Sequence, residues 1–179
     1  MRAPFQILAI PYKMIDGKFF YCVFRRADQD RWQFIAGGGE DDETPIQAAQ
    51  REICEESGIH ARNIISLRSV CSVPTDIFPN KHLYNWAADT YVVPEYSFGF
   101  ECTGAVNLSH EHVEYVWLTY EEACSKLTWD SNRTALYELD CRLKEHCGIT
   151  KISYATMDDY DLLVSKDTHI KKRRMEKAD

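Results

Sequence analysis

Residues 5–13 and 18–26 are rich in Ile, Leu, Phe, Tyr and Val, and Asp16-Gly17 stands between them. Two apolar runs parted by Asp-Gly predict a β-hairpin, because that pair accepts the positive φ angles of a two-residue turn. Residues 31–35 predict a short strand running into Gly37-Gly38-Gly39. Three glycines in a row mark backbone that turns tightly or comes close to another group. Thr44-Pro45 predicts a helix start, with Thr as cap and Pro at the first helical position. Ala48, Ala49 and Ile53 then recur on one face, and Gly58 is the stop. Further strands are expected at about 62–73, 83–93 and 113–118. Thr119 followed three residues later by Glu122 predicts a capping box on a short helix over 119–127. Residues 131–146 predict a longer amphipathic helix with apolar positions 135, 136, 139 and 143, ended by Gly148. A strand at 151–155, a helical stretch near 157–165 and a solvated tail complete the reading. Strands, helix, strands, two helices imply an α/β (α+β) domain with a mixed sheet between helices, not a regular βα alternation.

Length and charge refine this picture. A chain of 179 residues fits one domain with a small appendage. We expect the domain in residues 1–148 and a C-terminal extension in 149–179 that includes a partly disordered basic tail. Lys and Arg number 21 and Asp and Glu 28, a net charge of −7. That balance argues against a dedicated duplex-DNA binder, whose affinity rests on neutralising phosphates. The charge is uneven. Residues 165–179 hold six bases and three acids, whereas Gly37 to Ile59 hold seven acids and one base, Arg51. The apolar run Ile7–Ile10 stops at Pro11, unlike a signal peptide, and no 18-residue apolar segment predicts a membrane span. The seven cysteines are scattered without a CxxC pair, which reads as reduced thiols in a cytoplasmic protein. Cys141 and Cys147 lack partners at zinc-ligand spacing.

The acidic segment asks for a chemical reason. On a helix from about 44 to 57, Glu52, Glu55 and Glu56 stand at i, i+3 and i+4 and share a face. Such faces are usually just solvated. Here three carboxylates repel unless a cation lies among them, and hard divalent ions take a few carboxylates together with substrate phosphates. The glycine run directly precedes the helix, and Arg51 can fork onto Glu43 to hold loop against helix.

The spacing is specific. Gly37, five residues, Glu43, seven residues and Arg51-Glu52-Ile53-Cys54-Glu55-Glu56-Ser57-Gly58-Ile59 place nine fixed positions within 23 residues. This pattern resembles the signature box of the Nudix hydrolases. The resemblance implies an α/β/α sandwich around a mixed sheet. It implies an enzyme that uses water and Mg²⁺ or Mn²⁺ to cleave a diphosphate linkage in a small phosphorylated substrate. By position, Glu52, Glu55 and Glu56 would be catalytic metal ligands, joined by a backbone carbonyl near Gly37 or Gly38. Glu43 and Arg51 would be the structural pair, and Gly37, Gly38 and Gly39 would lie against the substrate.

Three further stretches resemble the bacterial dihydroneopterin triphosphate diphosphatases of that family: Arg31-Trp32-Gln33-Phe34, Glu111 to Leu118, and Thr128-Trp129-Asp130-Ser131-Asn132-Arg133. On that likeness the substrate is a pterin triphosphate, cut to monophosphate and pyrophosphate. The loop Val73–Asn80 and the glycine run differ from those enzymes. A nucleoside triphosphate, including oxidised forms, or a nucleotide sugar therefore stands as the alternative. Glu111 is either an extra ligand or general base, or a solvated loop acid. His110 and His112 flank it and read more readily as hydrogen-bonded residues than as ligands. Trp32 is the best candidate to stack on a flat heterocycle, although Trp32, Trp86, Trp117 and Trp129 also suit a core. A non-catalytic nucleotide-binding regulator fits poorly, since every box carboxylate is present. No DNA or membrane partner is expected; a homodimer is an assembly the sequence permits.

Overall fold

The computed structural model describes residues 1–78 and 80–148. The strand and helical stretch expected between 151 and 165, and the tail after them, lie outside the described residues. The chain divides into two units, Met1–Arg142 and Leu143–Asp179. Of the second, the described part is the end of the last helix, where Gly148 takes a φ of 66°.

The elements run β1 (Arg2–Ile15), β2 (Lys18–Arg26), β3 (Trp32–Gln33), β4 (Ile35–Glu40), α1 (Pro45–Ser57), β5 (Ile64–Pro74), β6 (Val92–Glu101), β7 (His112–Leu118), α2 (Tyr120–Lys126) and α3 (Asp130–His146). Two short 3₁₀ turns, Thr75–Ile77 and Lys81–Leu83, stand between β5 and β6. The hairpin forms as its turn predicts: Asp16 and Gly17 have φ of 50° and 76° between β1 and β2. The seven strands make one mixed sheet in the order β3-β2-β1-β6-β5, with β4 also on β1 and β7 on β2. The parallel pair is β1 with β6, from Gln6↔Glu95 to Tyr12↔Glu101.

Helices cover both faces, the sandwich the sequence implies. On one, Ile7, Ala9, Phe98 and Phe100 pack with Ala48, Ala49 and Ile53 of α1 in a buried cluster. Successive strand residues face opposite ways, so Gly99, between Phe98 and Phe100, opens toward α3. A Cβ there would lie 2.5 Å from Leu139. Ala135, Leu136 and Leu139 of α3 are fully buried, as its spacing predicts. The β5–β6 register shifts between Ser66 and Val70. In that irregularity Glu138 of α3 accepts from the backbone amides of Arg68 and Ser69, each at 2.7 Å, and from the Ser69 hydroxyl.

Two expectations need correction. The strand expected at 83–93 lies instead at Val92–Glu101. Pro94 and Gly99 break the look of a strand, but Gly99 makes room for Leu139. The earlier stretch has a different use for its aromatics. Trp86 packs between Phe78 and Tyr84 and donates from Nε1 to the Arg2 carbonyl at 2.9 Å. Nor do the three glycines form a turn. They are extended backbone in β4, paired with β1 at Ile7↔Gly37 and Gln6↔Gly38. Close approach is what requires them.

Candidate functional site

The start of α1 is fixed by its own residues. Thr44 and Gln47 form a reciprocal capping box, Pro45 fills the first turn, and Gly58 ends the helix at φ 70°. This sets the rotation of the helix and hence where Arg51 and the three glutamates point. Arg51 is the hub. It donates from Nε and Nη2 to the two oxygens of Glu43 at 2.9 and 3.0 Å, and from Nη2 to the Gly38 carbonyl at 2.7 Å. Its Nη1 reaches Glu52 at 2.9 Å and Glu55 at 3.1 Å. Glu43 also accepts from the Glu40 amide at 2.9 Å. The expected Glu43–Arg51 pair therefore ties β4 and its loop to α1, with the bidentate geometry that suits a guanidinium.

The carboxylates differ in setting. Side-chain exposure is 58% for Glu55, 12% for Glu52 and 4% for Glu56. Burial pushes Glu52 above the ordinary carboxylate value against the pull of Arg51, and the charges of Glu55 and Glu111 add to the rise. Glu56 is pushed up to about 9, first by burial and then by the charges of Glu52 and Glu111. Gly37 is the cradle of this cluster: a Cβ there would fall inside the Glu52 carboxylate. Gly38 lies as close to the Arg2 guanidinium, and Gly39 to the Phe5 ring.

A hard cation fits this donor set. The carboxylates crowd, their charge is incompletely offset, and buried Glu56 Oε2 has no hydrogen-bond partner. The ligands are not yet gathered, however. Among the described residues no three His, Cys, Asp or Glu side chains stand together at ligating positions. Arg51 holds Glu52, Glu55 and the Gly38 carbonyl, so a cation would have to draw those oxygens from it.

The loop before β7 is bonded to the end of α1. The Asn107 and Ser109 amides donate to the Ser57 and Glu56 carbonyls at the end of α1, at 2.9 and 3.3 Å. Glu111 is thereby held near α1, where its charge reaches both Glu52 and Glu56, and its own side chain is exposed. His110 is exposed as well, whereas His112 is buried against Phe24, ring centroids 5.1 Å apart. Burial and the Arg26 charge lower His112 to about 4.

Trp32 is half-buried in β3, with Lys126 Nζ 3.8 Å from its ring centroid. One face is thus taken, and a stacked heterocycle would need the other. Trp117 packs against the core cluster, and Trp129 is exposed beside Arg31. Two residues escaped the sequence reading. Arg26, clamped by Asp28 at 2.7 and 2.8 Å, is the cation that acts on Glu56. Glu95 is a half-buried carboxylate that burial pushes up and a bond from Ser131 pulls down. It belongs to the strand that Pro94 and Gly99 concealed. Gln6 pairs with Gly38 on one side and Glu95 on the other, so Glu95 lies two strands from the glycine cradle.

The chain's similarities agree with this geometry. The NUDIX domain model matches residues 14–139. Over 145 residues the chain is 30% identical to a dihydroneopterin triphosphate diphosphatase of Escherichia coli (strain K12), spanning 75% of this chain and 91% of that protein. A NUDIX hydrolase structure from Listeria monocytogenes is 43% identical, covers 80% of this chain and 97% of its own, and superposes with a TM-score of 0.71. The structure of the E. coli dihydroneopterin triphosphate pyrophosphohydrolase is 27% identical over 79% of this chain and 97% of that one, with a TM-score of 0.63. The box spacing, the sandwich and these matches together show that the chain belongs to the Nudix family, as a hydrolase acting on diphosphate bonds.

Proposed function

We propose that this hydrolase uses Mg²⁺ or Mn²⁺ to convert dihydroneopterin triphosphate and water to the monophosphate and pyrophosphate. The observation that carries the metal chemistry is Glu56: a buried carboxylate with an unpartnered oxygen, beside Glu52 and within reach of the Glu111 charge. Glu52, Glu55 and Glu56 would hold the cation. Bound there, it would offset phosphate charge and make an attacking water more acidic. Glu111, exposed at the edge of the cluster, would take the proton from that water. Arg51 and Glu43 would keep α1 and β4 in register while the carboxylates turn from arginine to cation. Residues 1–148 would carry this activity and 149–179 would take no part in it.

The substrate reading rests on the likeness to the E. coli dihydroneopterin triphosphate diphosphatase over most of both chains. Glu95 supports it. A 2-amino-4-oxo pyrimidine ring offers two adjacent N–H donors, which one carboxylate can accept together. Guanine shares that edge and adenine does not. The test is a turnover panel with Mg²⁺ over dihydroneopterin triphosphate, GTP, its 8-oxo form, ATP and nucleotide sugars. The pterin should rank first with pyrophosphate released, and Glu95→Gln should cut its kcat/KM by roughly 10–100-fold while sparing poor substrates. A nucleotide or nucleotide sugar ranking first would replace the pterin. Binding without turnover across the panel would contradict a catalytic site.

A further inference from the structure

Three of the four buried side-chain nitrogens and oxygens that lack a hydrogen-bond partner among the described residues belong to two neighbouring side chains, Glu56 (Oε2) and His112 (Nδ1 and Nε2). His112 Nδ1 stands 3.5 Å from Glu56 Oε2, just beyond a good hydrogen bond, with the two side chains 1% and 4% exposed. A buried polar atom left unpaired costs about 1–3 kcal/mol. Nothing else polar is bonded to either atom, and a small rotation would satisfy both. The elements favour such a closure. His112 opens β7, and the loop before it is bonded to the Ser57 and Glu56 carbonyls at the end of α1. The Phe24 ring then fixes the plane of the imidazole.

We propose that His112 is the positioning residue for Glu56. Its neutral ring, as the Nδ1–H tautomer, donates to Oε2 and sets the rotation of that carboxylate. Each carboxylate oxygen has two lone-pair directions, so Oε2 can accept this bond and still face a cation. A ligating carboxylate fixed in this way binds its ion without first having to be ordered. The exposed His110, two residues earlier, has no such contact to offer. The inference rests on the reading of Glu56 as a metal ligand.

The experiment measures Mn²⁺ affinity of the full chain by electron paramagnetic resonance, beside its unfolding midpoint. His112→Leu should lose 10–100-fold in Mn²⁺ affinity, and the Mg²⁺ needed for half-maximal turnover should rise in parallel. His112→Asn, whose amide places a donor near the Nδ1 position, should keep most of it. Wild-type Mn²⁺ affinity in a folded His112→Leu protein overturns the proposal, as does an equal loss in His112→Leu and His112→Asn. Glu56→Gln separates the two readings. If it leaves Mn²⁺ affinity unchanged, Glu56 is not a ligand. If it lowers affinity while His112→Leu does not, the positioning role alone fails. Should the leucine variant not fold, ring ¹⁵N shifts of the wild-type protein at neutral pH and saturating Mg²⁺ still decide, because the cation keeps Glu56 a carboxylate that can only accept. The Nδ1–H tautomer is expected, and the Nε2–H tautomer overturns the proposal.

Discussion

Gly37 is glycine because the Glu52 carboxylate stands where its Cβ would be. A methyl group there pushes Glu52 out of place while β4 keeps its pairing with β1. On the proposed metal role, Gly37→Ala should fold and lose on the order of 10²-fold in turnover, the cost of a misplaced reacting group. Steady-state kinetics with a thermal unfolding scan checks it, and turnover near wild type would mean that the position of Glu52 does not matter. Residues of this kind were legible in the sequence, because the interval from Gly37 to Glu56 is itself the signal. The reason for the glycines was only half legible: close approach was foreseen, but their extended strand conformation was not. His112 was not legible as a partner of Glu56. Whether a buried nitrogen is satisfied depends on which loop comes to lie against which helix end, and 55 intervening residues hide that from any spacing.

Glu138 shows what one residue does for a whole element. The register shift in β5 frees the Arg68 and Ser69 amides, and Glu138 of α3 accepts from both. Burial would push this carboxylate up, but those two amides, the Ser69 hydroxyl and Arg142 together hold it below its ordinary value of 4.5. A lowered native value means stability that is full above the unfolded value and is lost as pH falls through the native one. Glu138→Gln should therefore cost about 1–3 kcal/mol at neutral pH, and the gap to wild type should narrow below the ordinary carboxylate range. Denaturant melts at several pH values measure this; a gap that stays constant with pH would contradict it. Element by element, α1, α2, α3 and the first hairpin were legible, since caps, turn residues and apolar spacing all agree there. Strand β6 was not. Its Pro94 and Gly99 contradict strand propensity locally, and only the packing of Leu139 on the far face explains the glycine.

For the molecule as a whole, a net charge of −7 conceals two opposed parts. The 23 residues from Gly37 to Ile59 carry seven acids and one base, Arg51, which bonds to three of the four box glutamates, Glu43, Glu52 and Glu55. The last 15 residues carry six bases and three acids. If residues 149–179 take no part in the reaction, removing 166–179 should leave turnover of a small triphosphate unchanged. A large loss in kcat/KM would instead tie the basic run to the substrate. The sandwich as a whole was legible because the order of elements allows few other arrangements. The substrate was not, since it is set by which side chains the sheet brings beside the cradle. The most direct measurement compares wild-type protein with Glu56→Gln, using dihydroneopterin triphosphate and Mg²⁺ and following released pyrophosphate. Wild-type protein should release pyrophosphate, and the variant, still folded, should lose at least about 10²–10³-fold, as when other preorganised charge-stabilising groups are removed. Near-wild-type release from Glu56→Gln, or inorganic phosphate as the sole product, would contradict the proposed function.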